Sequence, residues 1–69
     1  CDWLVPTRDL LTDRGMMGDG VVDLPLVRSW MEGAGYRGLH EVEILSERWW
    51  AEDAQHVLAT CIERHATRT

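Results

Sequence analysis

Two short aliphatic runs, each followed by an amphipathic helical pattern, constrain this chain more than any other feature. The first is Asp2-Trp3-Leu4-Val5, stopped by Pro6. The second runs from Leu39 to Leu45, with His40, Val42 and Ile44 on one face and Leu39, Glu41, Glu43 and Leu45 on the other. Between them, Asp23 is a good N-cap and Pro25 suits a first helical turn, where a missing N–H costs nothing. Leu24, Val27, Trp30, Met31 and Ala34 then fall at helical spacing until Gly35, which can take a left-handed conformation. After the second run, Ser46 can cap a short turn bearing Trp49 and Trp50. Ala54, Val57, Leu58, Cys61 and Ile62 form a second apolar stripe that ends near His65. The order is strand, long loop, helix, strand, loop, helix. Strands alternating with helices imply parallel strands joined by crossover helices.

Sixty-nine residues cannot close that arrangement. Two parallel strands would leave unpaired edges and an open sheet face. A core this small contributes only a few kcal/mol. The expected fold class is therefore α/β, as two βα units of a larger domain, roughly a quarter of a (β/α)₈ barrel of about 250 residues. The chain starts with Cys1. A lipid-bearing first Cys and a secreted miniprotein with a Cys1–Cys61 bridge compete with a piece of something longer. The apolar start at Trp3-Leu4-Val5 is not a polar tether, and two cysteines are a thin staple, so the last reading is favoured. Cys61 then reads as a small buried hydrophobe.

Charge narrows the function. Seven Lys+Arg against 12 Asp+Glu give a net charge of −5, which argues against gripping a nucleic-acid backbone. No apolar run reaches the roughly 18 residues that would span a membrane. No targeting signal is visible, and a cytoplasmic location is expected. Residues 6–22 form a long connection that keeps two Leu, two Met and two Val, so it reads as an ordered loop folded over something.

In parallel α/β folds the reactive groups gather at the carboxyl ends of strands. Glu43 sits there, on the face it shares with Glu41. Buried carboxylates need a partner or a cation, so Glu43 reads as a metal ligand, as a residue on a solvated edge, or as one half of a salt bridge to an Arg of a neighbouring strand. Arg14 precedes Gly15, Gly18 and Gly20; spaced glycines admit a ligand close to the backbone, and Arg offers a fork of donors for oxyanions. Asp2 and Trp3 end the first run, where an Asp can orient a ligand and a Trp can wall a sugar site or simply pack. Trp30 and Met31 read as helix core. His40, His56 and His65 do not have a metal-site spacing and read as surface or partly packed. No nucleophile set, CxxC motif or Walker loop is present.

Arg14-Gly15-Met16-Met17-Gly18-Asp19-Gly20-Val21-Val22-Asp23, followed by Gly35-Tyr36-Arg37-Gly38 and Glu41-Val42-Glu43-Ile44, resembles the C-terminal end of the xylose isomerase-like TIM barrels. That superfamily includes sugar phosphate isomerases/epimerases, ketose 3-epimerases, inosose dehydratases and metal-dependent AP endonucleases. The resemblance covers nearly the whole chain. It implies strands 7 and 8 with their helices, residues 1–69 being the C-terminal quarter of a single barrel domain.

The resemblance also implies a function. Glu43 matches a carboxylate that binds a divalent metal and moves the substrate proton. Arg14, four residues before Gly18-Asp19-Gly20, matches an arginine that holds substrate oxygens. Asp2 matches an acidic residue three after a metal-binding His that would lie before Cys1. One Mn²⁺, Mg²⁺ or Co²⁺ ion is implied, with zinc ranked behind these. Gly15 stands where the AP endonucleases carry a zinc-holding His, which with the net charge favours a sugar enzyme over a nuclease. The expectation is a metal-dependent sugar or sugar-phosphate isomerase/epimerase that abstracts a proton next to a carbonyl. Its catalytic and metal residue would be Glu43, and its substrate contacts Arg14, Asp2 and Trp3. A dehydratase or lyase on a keto-sugar or inosose, and a non-catalytic interaction module, are the alternatives. The partners expected are a small sugar and the rest of the barrel, with no nucleic acid or membrane and with homo-oligomerisation left open.

Overall fold

In a computed structural model describing residues 1–69, side-chain caps set where the helices begin. The Asp23 carboxylate accepts the Leu26 N–H at 3.0 Å and starts α1, Leu24–Gly33. Beyond Ala34, Gly35 adopts φ +100°. Its N–H donates to the Glu32 carbonyl and the Tyr36 N–H to the Met31 carbonyl, the paired bonds that close a helix end. The Ser46 hydroxyl accepts the Trp49 N–H at 3.3 Å and starts α2, Glu47–Trp50. Asp53 accepts from His56 and starts α3, Ala54–Arg68.

The two βα units expected from the sequence do not form. The chain has three helices and two isolated bridges, Asp2 with Gly15 and Asp13 with Ser46, both antiparallel. It is not strands 7 and 8 of a barrel with their helices. The physical reason lies in the backbone. A strand exists only through a ladder partner, and Leu39–Leu45 has none. Its one backbone bond is at its last residue, where the Leu45 carbonyl accepts the Arg14 N–H at 2.9 Å. The Asp2–Val5 run pairs only briefly with Gly15. Its other backbone bond runs from the Val21 N–H to the Trp3 carbonyl.

The core forms where the sequence suggested a loop. Met16, Met17 and Trp49 are buried, with Leu24, Ile44, Val57 and Cys61 packed against them. Residues 6–22 thus supply the centre of the structure. Arg64 of α3 clamps this loop, its guanidinium donating to the Met17 carbonyl at 2.8 Å and to Asp19 at 2.7 Å.

The helix stripes reach that core only in part, through Leu24 of α1 and through Val57 and Cys61 of α3. Trp30 is 64% exposed and Met31 43%, so neither is the helix core expected of it; Leu58 and Ile62 of α3 also face outward. The accessible surface of 5220 Å² exceeds the roughly 4400 Å² typical of a folded chain of this mass. Both cysteines are free and half-exposed, so no Cys1–Cys61 bridge exists. No helix is long and apolar enough to cross a membrane.

Candidate functional site

Three stretches of backbone meet at the candidate site. The Asp2 N–H donates to the Gly15 carbonyl at 2.8 Å and the Gly15 N–H returns a bond to the Asp2 carbonyl at 3.0 Å. One residue earlier, the Arg14 N–H reaches Leu45, and the Glu47 N–H reaches the Thr12 carbonyl at 2.8 Å. Residues 12–15 therefore lie between the chain start and the residues around Leu45. Asp2, Trp3 and Arg14 are brought together, and Glu43 lies two residues before Leu45.

Asp2 is only 2% exposed. Its Oδ1 accepts the N–H groups of Trp3 (2.8 Å) and Val22 (3.0 Å), and its Oδ2 those of Gly18 (3.0 Å) and Gly20 (2.9 Å). Burial pushes the carboxyl up, but the donors from Val22, Gly20, Trp3 and Gly18 together outweigh it and hold the group below the ordinary carboxylate value. Both oxygens are thus committed to the backbone, and Asp2 shapes the loop rather than facing a ligand. Gly20 is required by this closeness: a Cβ there would stand 2.6 Å from Asp2 Oδ1.

Arg14 is held on several sides. Its Nε donates to the Leu10 carbonyl at 2.9 Å, its Nη1 lies 4.0 Å from Cys1 Sγ, and its Cζ lies 5.4 Å from the centre of the Trp3 ring. Three arginines are half-buried, Arg14, Arg28 and Arg64. Arg28 pairs with Glu32, and Arg64 with Asp19 and Glu63. Arg14 has no carboxylate partner, so its outer donors are free for an oxyanion or for hydroxyls. Trp3 serves as its platform.

Glu43 is exposed, with no hydrogen bond and no ion pair. The cation implied by the family resemblance needs several donors in one place. No group of three or more His, Cys, Asp or Glu side chains is placed to hold one. Residues 1–69 by themselves therefore do not fit a metal centre.

One polar pair escaped the sequence reading. His40 Nδ1 and His65 Nε2 lie 3.0 Å apart, across 25 positions of sequence. Neither residue's spacing signals the contact, because it depends on how α3 packs beside the irregular segment after α1.

No family model and no curated protein matches the chain. Among solved structures, the crystal structure of protein SMc04130 from Sinorhizobium meliloti 1021 is similar, at 58% identity and a TM-score of 0.94. The match covers 99% of this chain and 25% of that one. The chain spans about a quarter of the length of the protein it matches.

Proposed function

We propose that this chain contributes Glu43 and Arg14 to a cytoplasmic sugar or sugar-phosphate isomerase/epimerase. The observation that carries the reading is the bond from the Arg14 N–H to the Leu45 carbonyl. It joins the backbone of Arg14, whose guanidinium has no carboxylate partner, to the segment that bears the free Glu43 carboxylate. In this reading the Glu43 carboxylate takes a proton from the carbon next to the substrate carbonyl. The C–H bond breaks, an O–H bond forms on Glu43, and the electron pair passes to the carbonyl oxygen as an enediolate. The Arg14 fork binds the substrate oxygens and faces the charge that develops there. Return of the proton to the former carbonyl carbon, with the neighbouring hydroxyl proton passing to the former carbonyl oxygen, isomerises the sugar; return to the other face of the same carbon epimerises it. The divalent cation implied by the resemblance would be held by Glu43 together with donors from outside residues 1–69, and would polarise the substrate carbonyl.

The test is Glu43→Gln in the protein. Turnover of ketose and ketose-phosphate substrates is expected to fall by about 10²–10⁴-fold, the usual worth of a positioned acid/base group. Unchanged turnover would remove Glu43 from the chemistry. A product lacking one molecule of water would move the assignment to a dehydratase. The exposed Trp30, Leu58 and Ile62 favour a second reading, a non-catalytic interaction module, which predicts no turnover by the wild type.

A further inference from the structure

The backbone from Leu39 to Glu43 is exposed, and it pairs with no other backbone. Its hydrogen bonds run through side chains alone. The Tyr36 hydroxyl donates to the Leu39 carbonyl at 2.7 Å, and the His40 ring meets the His65 ring. The N–H and C=O groups of residues 40–43 make none. The same residues alternate as a strand does, with His40 and Val42 on one face and Leu39, Glu41 and Glu43 on the other. Beside them lies a cleft whose apolar lining includes Val27 and Met31 of α1 and Leu39 and Val42 of the segment. Leu39 is 91% exposed. An open backbone edge beside an apolar cleft is the receiving surface for strand addition: main-chain bonds hold the added strand, and the cleft takes alternate side chains.

Two observations name the occupant. The accessible surface of 5220 Å² stands roughly 800 Å² above that expected for this mass, and roughly 800 Å² is what one partner buries in a standard interface. Three quarters of protein SMc04130 lies outside the stretch that matches this chain, so a fold of this shape sits there beside about three times its own length of polypeptide. A second copy fits the edge poorly. Antiparallel self-pairing about Val42 would set Glu41 opposite Glu43 of the copy, twice over, and like charges directly opposite are destabilising. We propose that Leu39–Glu43 is a docking edge for an extended strand, supplied by polypeptide equivalent to the part of SMc04130 outside the match. The added strand pairs the backbone of residues 40–43 and covers Val27, Met31, Leu39 and Val42. This does not rest on Glu43 acting in catalysis, and its test reads no activity.

The experiment is amide hydrogen exchange on two proteins: this chain alone, and SMc04130 with its matching quarter replaced by residues 1–69. In the chain alone, the amides of residues 40–43 should exchange at nearly the unprotected rate. In the hybrid they should slow by about 100-fold or more. Val42→Pro deletes an N–H that bonds nothing in the chain alone, so the exchange of α1 and α3 there should not change. In the hybrid the same substitution should restore fast exchange at residues 40–43 and lower the melting temperature by about 5 °C or more. Fast exchange of residues 40–43 in an unsubstituted hybrid whose α1 and α3 are protected would overturn the proposal. So would a hybrid that aggregates where SMc04130 stays soluble. Protection in the chain alone that rises with its concentration would give the edge to a second copy and overturn it as well.

Discussion

The Asp2 carboxylate is the most consequential single group in the structure, and removing it gives the sharpest test of how the loop is built. Asp2→Ala leaves four backbone donors without their acceptor. Two of them, on Gly18 and Val22, belong to exposed residues that can turn to water. The other two, on Trp3 and Gly20, belong to half-buried residues. At about 1–3 kcal/mol for each stranded donor, the variant should lose about 2–6 kcal/mol of stability. Asp2→Asn is nearly the same shape but keeps a single acceptor oxygen and turns an NH₂ group toward two N–H groups. It should therefore fall within the same range rather than be neutral.

Acid provides an independent check. The folded protein holds the Asp2 carboxyl below the ordinary value of 3.8. A depressed carboxyl contributes stability that is fully present above that value and is lost as the pH falls through the folded value. Wild-type stability should thus decline below about pH 4, and Asp2→Asn should show a shallower decline over the same window. The decline should not disappear, because the N–H groups of Thr12 and Leu11 also hold the exposed Asp9 carboxyl low. Denaturant unfolding followed by tryptophan fluorescence reads both effects, since Trp49 leaves the core on unfolding. A loss below about 0.5 kcal/mol for Asp2→Ala, a value typical of inert surface changes, would refute the role given to this carboxylate.

Two further predictions concern the same loop. Arg14→Ala should raise KM for ketose substrates by about tenfold or more with a smaller change in kcat, and Arg14→Lys should not restore it, because an ammonium lacks the planar fork; an unchanged KM would leave Arg14 a surface residue on its Trp3 platform. Gly20→Ala should lower stability by about 1–3 kcal/mol through overpacking against Asp2 and Trp3, whereas Gly33→Ala, in α1 with nothing within 4 Å, should be neutral or slightly stabilising. Equal melting temperatures for the two glycine variants would contradict the packing around Gly20.

The helices were legible in the sequence because their signals are local. Asp23, Ser46 and the glycine after α1 each act within one turn, and each cap is found where the sequence placed it. The strands were not, because a ladder is a property of two segments. Leu39–Leu45 has the alternation and side chains of a strand, yet nothing in residues 1–69 lies beside it to pair. The stripes of α1 and α3 were read as amphipathic, but periodicity says only that a face is apolar, not that a surface exists to cover it. The site was legible in part. Arg14, Trp3 and Asp2 do meet, but Asp2 was read by its position at the end of a run, and its actual task follows from four N–H groups spread over twenty residues of chain. His40 and His65 carried no signal, since neither their spacing nor their neighbours point from one to the other.

A polar hub does here what an apolar core does in larger folds. With only three buried hydrophobic side chains, hydrophobic burial alone cannot fix residues 14–22. Four charge-assisted bonds to one buried carboxylate fix a loop by direction as well as by contact, which apolar packing does not. The consequence runs outward from Asp2. Its backbone pairs with Gly15, the neighbouring Arg14 N–H bonds Leu45, and Leu45 leads back to Glu43. On the other side, the segment bearing Glu43 is held by the His40–His65 contact. Arg14 is thus positioned from the side of Asp2, and the segment that bears Glu43 from the side of α3.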